Sequence, residues 1–404
     1  MLRILLFIVC SSYMLTNSLL AQWNQWRGSA SGNGVIANSD SQSMPMTWSD
    51  SENVLWKTPV PGVGYSSPII SNNKVILTTS EPKTGTQSLL CFDSASGEML
   101  WKKQVHRGRF FSSNHKMNAD ASSTPVTDGK KIISLFGIND AIYASAHDFD
   151  GKEIWNIKLS DFKSQFGSGA SPLYYNDMLV LPVENEPTIA VYGYDLSGTK
   201  KWTISRPLKK RNSWHTPRVF EIDKQPQLIF SGHNKLISYD PMTGKQNWSI
   251  PGGSAVTVGS VVMDGDIIYT SGGFPEKGTY AFDIKTKKLL WSSKVATYIP
   301  SIVAYNGRLF AATNNGRVFC LDGQSGQEIW STSTKKSISS SLFVANDRLF
   351  IITEDGTTRV AKTDSKEYVE LHSNKIPGLT RATPSIVGNR IYYRAENHLY
   401  CLAK

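Results

Sequence analysis

Three oxygen-bearing side chains stand together in the run VENEP, which begins at Val183. Carboxylate and amide oxygens are the ligands that Ca²⁺ prefers, so Glu184 and Asn185 are candidate ligands of a hard cation. Runs this short also occur as ordinary polar loops, and that alternative stays open. No zinc-protease, phosphate-loop or serine-hydrolase motif accompanies the run, so the sequence predicts no catalytic residue.

A second group of polar and aromatic residues lies at or near the start of short apolar runs such as SSPII and ATPSIV. If these runs are the inner strands of repeated sheets around a channel, the residues converge at its mouth and form a binding site. The alternative is that they close turns, as most polar groups do. The predicted ligand-binding residues are Tyr65, His115, Lys116, Asn118, His215, Tyr298 and Arg381.

The charge of the chain is unevenly distributed. The formal net charge is +10. Part of the excess falls in the loops that lead into the apolar runs, and this predicted basic patch comprises Arg107, Arg109, Arg206, Lys209, Lys210 and Arg211. A positive face attracts anionic partners, here an anionic polysaccharide or an envelope protein, or else it serves only solubility. The interleaving of aromatic and basic residues typical of nucleic-acid binding is missing, so no nucleic acid is expected.

The N-terminus is typical of an export signal. Arg3 precedes the apolar run Ile4 to Cys10, and Ala21 offers a small residue for cleavage, so residues 1–21 are interpreted as a signal peptide. We expect an exported monomer in the periplasm or outside the cell, with no transmembrane segment in the mature chain. The other cysteines, Cys91, Cys320 and Cys401, occupy one repeat position and are predicted to be small buried strand residues.

One pattern recurs along most of the chain. In CFDSASGEMLW, YDLSGTKKW and LDGQSGQEIW, an Asp precedes a Ser-Gly pair and then a Trp. From Trp56 to Trp330 the recurring tryptophans are 39 to 54 residues apart. That period, with several short strands in each unit, is typical of a four-stranded propeller blade. The Asp and Gly suit a hairpin turn between the last two strands, and the Trp is predicted to pack against the next blade.

Counting these units predicts an all-β, eight-bladed β-propeller over residues 52–404, preceded by an extended segment over residues 22–51. The last unit contains only three strands. We therefore expect the N-terminal segment Glu52 to Val60, which contains Trp56, to supply its outer strand and close the ring. The seventh unit lacks both the Gly and the Trp of the pattern.

The Asp-Ser-Gly-Trp unit resembles the tryptophan-docking repeat of the pyrroloquinoline quinone (PQQ) dehydrogenases and of PQQ-like propellers of the exported bacterial type. The leader WNQWRGSASGNG, which begins at Trp23, is similar to the one found ahead of such propellers. The resemblance implies either a non-catalytic binding or scaffold protein, like the propeller of the outer-membrane assembly machinery, or a small quinoprotein dehydrogenase. The dehydrogenase alternative implies PQQ and calcium, with Glu184 and Asn185 at the metal. The adjacent cysteines of the larger quinoproteins are missing, so we expect no cofactor and a binding protein that acts through its basic face.

Overall fold

The computed structural model describes residues 22–29, 31–37, 43–111, 117–164, 166–185, 187–206 and 213–404. Within these ranges all the regular elements are β-strands, and they form eight small sheets. The prediction of an all-β, eight-bladed propeller is therefore confirmed. The described residues contain no helix long and apolar enough to cross a membrane. The predicted signal peptide lies outside the described residues.

The strands follow one another from the channel outward in each blade. The first two are β1 (Val35–Ile36) and β2 (Val54–Pro59). Blades 1 to 4 comprise β3 (Ile69–Ser71), β4 (Lys74–Glu81), β5 (Thr86–Asp93), β6 (Met99–Arg107); β7 (Val126–Thr127), β8 (Lys131–Ile138), β9 (Ala141–Asp148), β10 (Glu153–Asp161); β11 (Leu173–Tyr175), β12 (Met178–Asn185), β13 (Thr188–Asp195), β14 (Lys200–Ser205); and β15 (Arg218–Ile222), β16 (Gln225–Gly232), β17 (Lys235–Tyr239), β18 (Gln246–Pro251). Blades 5 to 8 comprise β19 (Val262–Asp264), β20 (Ile267–Gly272), β21 (Gly278–Asp283), β22 (Lys288–Ser293); β23 (Val303–Tyr305), β24 (Arg308–Ala312), β25 (Arg317–Asp322), β26 (Glu328–Ser333); β27 (Phe343–Ala345), β28 (Arg348–Ile352), β29 (Thr357–Lys362), β30 (Glu370–Lys375); and β31 (Ser385–Val387), β32 (Arg390–Ala395), β33 (His398–Leu402).

The ring closes as the sequence predicts. Strand β2 pairs antiparallel with β33, with Trp56 opposite Cys401, and so becomes the outer strand of blade 8. Strand β1 adds a further strand to blade 7 by pairing parallel with β27. Both ends of the propeller are thereby tied to segments far away in sequence.

The recurring tryptophans join neighbouring blades. The indole nitrogen of Trp56 donates to the carbonyl oxygen of Ser94 in the turn of blade 1, at 3.2 Å. Trp101, Trp155 and Trp291 make the same bond to the next blade. Gly97 in that turn has φ of 76°, and a Cβ there would come within 2.5 Å of the Trp56 ring. The glycine thus serves both the turn and the close approach of the tryptophan.

The core is divided among the blade interfaces. Among the described residues, the buried apolar side chains form eight clusters, one between each pair of neighbouring blades. Cys91, Cys320 and Cys401 are buried and unpaired within these clusters, as predicted. Blade 7 lacks its tryptophan, but Trp48 of the N-terminal segment stacks on Phe350 between blades 7 and 8, with ring centroids 6.4 Å apart.

A ring of hydroxyl groups holds the blades together at the channel. Eight Ser and Thr residues, one per blade, lie shortly before the inner strands; this hydroxyl ring comprises Ser67, Thr124, Ser171, Thr216, Ser260, Ser301, Ser341 and Thr383. In seven of the eight steps the backbone N–H of one member donates to the hydroxyl of the next, at 2.9 to 3.2 Å. In the remaining step the Ser260 hydroxyl donates to the Thr216 carbonyl oxygen at 3.0 Å.

The N-terminal segment crosses the channel. Trp23 forms a bridge with Ile70 of blade 1, and Gln25 exchanges hydrogen bonds with Tyr174 of blade 3. The guanidinium of Arg27 then donates to the carbonyl oxygen of Ile302, at the start of blade 6. Because these contacts lie at the level of the inner strands, the segment closes the channel below the hydroxyl ring.

Candidate functional site

A cavity of about 200 Å³ lies at the centre of the propeller, on the side where the chain enters the inner strands. We call the connections into the inner strands the inlet loops, this side the funnel face and the cavity the cup. Six members of the hydroxyl ring line the cup: Thr124, Ser171, Thr216, Ser301, Ser341 and Thr383. The residues two positions earlier in all eight blades form an upper ring, which comprises Tyr65, Ser122, Gly169, Trp214, Val258, Ile299, Ser339 and Arg381.

The two rings follow from the extended form of the inlet loops. In extended chain, alternate side chains point to the same side, so positions separated by two share a surface. The hydroxyl ring binds the next blade, and the upper ring stands above it on the same side. Four of the eight upper-ring residues are aromatic or aliphatic, and the cup as a whole is a mainly apolar space above a ring of hydroxyl groups.

The indole of Trp26 lies at the base of the cup. The indole nitrogen donates to the Ser260 hydroxyl at 3.3 Å, and the backbone carbonyl oxygen of Trp26 accepts from Arg218 at 2.9 Å. Arg218 is fully buried, so the backbone of Trp26 is held from below. On the wall, Trp214 packs edge-on against Phe166, with ring centroids 5.4 Å apart. Flat aromatic faces of this kind suit a planar or apolar group.

Four of the predicted ligand-binding residues line the cup. Tyr65 and Arg381 belong to the upper ring, and Asn118 and Tyr298 reach the wall from the inlet loops. The side-chain amide of Asn118 binds a neighbouring inlet loop, since its nitrogen donates to the carbonyl oxygens of Phe166 and Ser168. Tyr298 is 40% exposed, which leaves its ring accessible at the rim. His115 and Lys116 lie outside the described residues.

Arg381 and Tyr65 meet across the boundary between blades 8 and 1. The Arg381 guanidinium donates to the Tyr65 hydroxyl at 3.1 Å and lies 5.0 Å from the ring centroid. Arg381 also donates to the carboxylate of Glu354 at 3.0 Å. The Ser339 hydroxyl donates to the same carboxylate oxygen at 2.5 Å. The positive charge at this side of the cup is therefore largely compensated.

His215 does not reach the cup. It directly precedes Thr216 of the hydroxyl ring, so its side chain points the opposite way, and it is fully buried. Its ring packs edge-on against Phe230, and its Nδ1 lies 3.4 Å from the Glu184 carboxylate. Burial and the nearby Arg206 lower the pKa of His215 well below its ordinary value. The imidazole is therefore neutral and part of the interior.

Glu184 forms a buried ion pair with Arg206. The distance between Oε1 and Nη1 is 2.7 Å, and each side chain is 2% exposed. Burial raises the pKa of Glu184, while the guanidinium acts in the opposite direction. A carboxylate already paired with a cation is poorly suited to a calcium ion, which the same guanidinium would repel. Glu184 also lies outside the cup wall, and the described residues contain no group of three or more His, Cys, Asp or Glu placed to hold a metal.

The predicted basic patch is only partly a surface. Arg107 is exposed at the end of β6, and Arg109 is exposed but pairs with Asp140. The prediction of Arg206 as part of the basic patch is wrong, because the residue is buried in the ion pair with Glu184 and adds no charge to the surface. Lys209, Lys210 and Arg211 lie outside the described residues. Within the described ranges, the funnel face thus has less free positive charge than the sequence suggests.

Architecture and repeat together define a β-propeller with PQQ-like repeats. The model of the family described as outer membrane protein assembly factor BamB matches residues 85–306 and 280–399, and the chain belongs to this family. No curated protein sequence matches the chain.

Several solved structures share the fold. BamB from Moraxella catarrhalis is 13% identical, with a TM-score of 0.63 over 87% of this chain and 99% of that one. A europium-containing methanol dehydrogenase is 12% identical, with a TM-score of 0.66 over 93% of this chain and 90% of that one. The quinohemoprotein alcohol dehydrogenase from Comamonas testosteroni is 11% identical, with a TM-score of 0.69 over 95% and 80%. At these identities the likeness concerns the fold alone.

Proposed function

We propose that this chain is an exported, non-catalytic propeller that holds a segment of an envelope protein on its funnel face. The observation that carries the proposal is the cup, a mainly apolar space with Trp26 at its base and aromatic residues in its wall. Such a pocket receives an apolar anchor of a partner, which is where most binding energy is concentrated in protein interfaces. The family's description as an outer membrane assembly factor supports a location in the envelope.

The rim of the cup favours a protein over an anionic polysaccharide. Phe274 and Tyr298 are 54% and 40% exposed on neighbouring loops of the funnel face. In contrast, Arg109 and Arg381 are engaged by Asp140 and Glu354. Exposed aromatic side chains around a pocket are typical of protein-binding surfaces, whereas polyanion binding depends on free cations. The monomer is proposed as the binding unit.

The dehydrogenase alternative has weaker support. PQQ and calcium would need a carboxylate free to bind the metal, and Glu184 is engaged by Arg206 and faces His215. We therefore propose that the chain uses neither group. A titration of the full chain with PQQ, with and without calcium, tests this point, and calcium-dependent binding that is lost in Glu184→Gln would restore the alternative.

Site-specific photo-crosslinking in the native host tests the proposed function. A photoreactive amino acid replaces Tyr298 or Phe274 at the rim and, as matched controls, Leu100 or Leu290 on outer strands, which are similarly exposed. We expect discrete crosslinks to envelope proteins from the rim positions only. Crosslinks that are equal at rim and control positions, or adducts to polysaccharide alone, would contradict a protein partner on the funnel face.

A further inference from the structure

A second cavity of about 290 Å³ opens on the funnel face between blades 8 and 1. We call it the side chamber. Its wall comes from the inlet loop of blade 1, the inlet loop of blade 8 and the hairpin between β32 and β33: Gly62, Val63, Gly64, Tyr65, Leu379, Arg381, Ala382, Arg394, Glu396 and Asn397. Tyr65 and Arg381 belong to the walls of both cavities, so this stacked pair separates the side chamber from the cup.

Arg394 is the buried charge of the side chamber. Its side chain is 2% exposed, and its Nη1 donates to the Ser66 hydroxyl at 3.0 Å and to the Thr78 carbonyl oxygen at 2.8 Å. Its Nε and Nη2 have no hydrogen-bond acceptor in the part of the chain that the structure describes. Burial lowers the pKa of Arg394 to about 10, so the group stays charged at neutral pH.

The two free donors belong to one edge of the guanidinium plane. Nε–H and the adjacent N–H of Nη2 point in the same direction, which is the geometry that donates to both oxygens of one carboxylate. A buried cation without a counter-charge is costly, and a bound anion removes that cost. The exposed Glu396 also lines the chamber and disfavours ligands with two negative charges.

We propose that the side chamber is a carboxylate-binding site in which Nε and Nη2 of Arg394 bind one carboxylate. The site extends the proposed function, because it opens beside the cup on the face assigned to the partner. A free organic acid and the C-terminus of a polypeptide share this chemistry. The two sources differ in the group attached to the carboxylate, and titration with one acid of each kind separates them.

The test is calorimetric titration of the full chain with four probes: benzoate, benzamide, N-acetylphenylalanine and N-acetylphenylalaninamide. We expect the acids to bind and the amides to bind at least about tenfold more weakly, since the bidentate contact to a charged acceptor is lost. A stronger response to benzoate indicates a free acid as ligand, and a stronger response to N-acetylphenylalanine indicates a chain terminus. Equal binding of acids and amides, or no binding of either acid, would overturn the proposal.

Two variants locate the site. Arg394→Lys keeps the charge but removes the fork, and we expect about tenfold weaker acid binding or more. Glu396→Gln removes a repelling charge from an exposed position and should tighten acid binding several-fold. Glu367→Gln, exposed on the outer side of blade 7, is the control and should change nothing. Should Arg394→Lys fail to fold, Glu396→Gln decides: unchanged affinity there overturns the proposal. Loss of rim crosslinks with intact acid binding would refute only the protein partner.

Discussion

The guanidinium of Arg381 donates to the Tyr65 hydroxyl at 3.1 Å and lies 5.0 Å from its ring centroid, although the two residues are 316 positions apart. The contact joins the last blade to the first and stands between the cup and the side chamber. Because Glu354 holds the same guanidinium at 3.0 Å, the pair has little freedom to swing away. This one contact therefore both joins the ends of the ring of blades and forms part of the candidate binding site.

A double-mutant cycle between these two residues measures the contact. Tyr65→Leu removes the hydroxyl and the ring face, and Arg381→Met removes the cation. We expect a coupling energy of about 1 kcal/mol in the free energy of urea unfolding, from the cation–π contact and the hydrogen bond together. Additive effects of the two substitutions would show that the contact contributes nothing to closure.

The buried ion pair of Glu184 and Arg206 predicts an asymmetric mutational response. Arg206→Met leaves a carboxylate buried without a cation, and we expect unfolding to become easier by about 3–5 kcal/mol. Replacing both residues with Met should recover much of this loss, since neither charge remains to be buried. Urea unfolding checks both values.

The pair Arg359 and Glu370 offers a matched control for this series. Its atoms lie at a similar distance, 2.8 Å, but its side chains are 30% and 28% exposed. Arg359→Met should cost no more than about 1 kcal/mol. A loss at Arg206 as small as the loss at Arg359 would contradict the role assigned to the buried pair.

Gly193 is required by a tryptophan of its own blade. A Cβ at this position would lie 2.0 Å from the Trp202 ring, so the indole would have to move. We expect Gly193→Ala to destabilise the fold by about 1–3 kcal/mol, as overpacking of interiors does. At Gly169 the nearest atom is 3.7 Å away, and Gly169→Ala should change stability by less than about 0.5 kcal/mol. Equal tolerance of both substitutions in thermal unfolding would refute the steric explanation.

Two partly buried histidines predict how stability depends on pH. Burial lowers the pKa of His106 and of His233 to about 4, from an ordinary 6.5. Between these values the unfolded chain binds protons that the native protein does not, so stability falls as the pH falls from 6.5 to 4. His106→Phe keeps an aromatic ring against Phe136 and Tyr143 and should make this fall shallower. An unchanged pH profile of urea unfolding in that variant would contradict the lowered pKa.

Much of the fold could be predicted because the spacing and residue types of the repeat are those of a propeller blade. The Asp, Gly and Trp of each unit recur at blade spacing, and the unpaired strand around Trp56 left one way to close the ring. Blade 7 shows the limit. Its pattern lacks the Trp, and nothing in the sequence pointed to Trp48, which fills the interface from the N-terminal segment.

Two of the four predicted residues that line the cup follow the register of the repeat, while Asn118 and Tyr298 lie outside that register. Tyr65 and Arg381 each lie two positions before a Ser or Thr of the hydroxyl ring, and they line the cup. The equivalent position in blade 4 is Trp214. The residue predicted from the sequence, His215, lies one position further along the chain and therefore points away from the cup. Counting back two positions from the recurring Ser or Thr would have found the whole upper ring. Arg394 had no such signal, because its importance depends on burial against Ser66 and Thr78.

The measurement that tests the binding role of the funnel face most directly is anomalous diffraction from crystals of the chain soaked with 4-iodobenzoate. This probe combines an aromatic ring with a carboxylate, the two chemistries that the cup and the side chamber present. We expect an iodine peak in the side chamber, with the carboxylate against Arg394. Iodine peaks confined to the outer strands, or none at a concentration that saturates binding in solution, would contradict a binding site on this face.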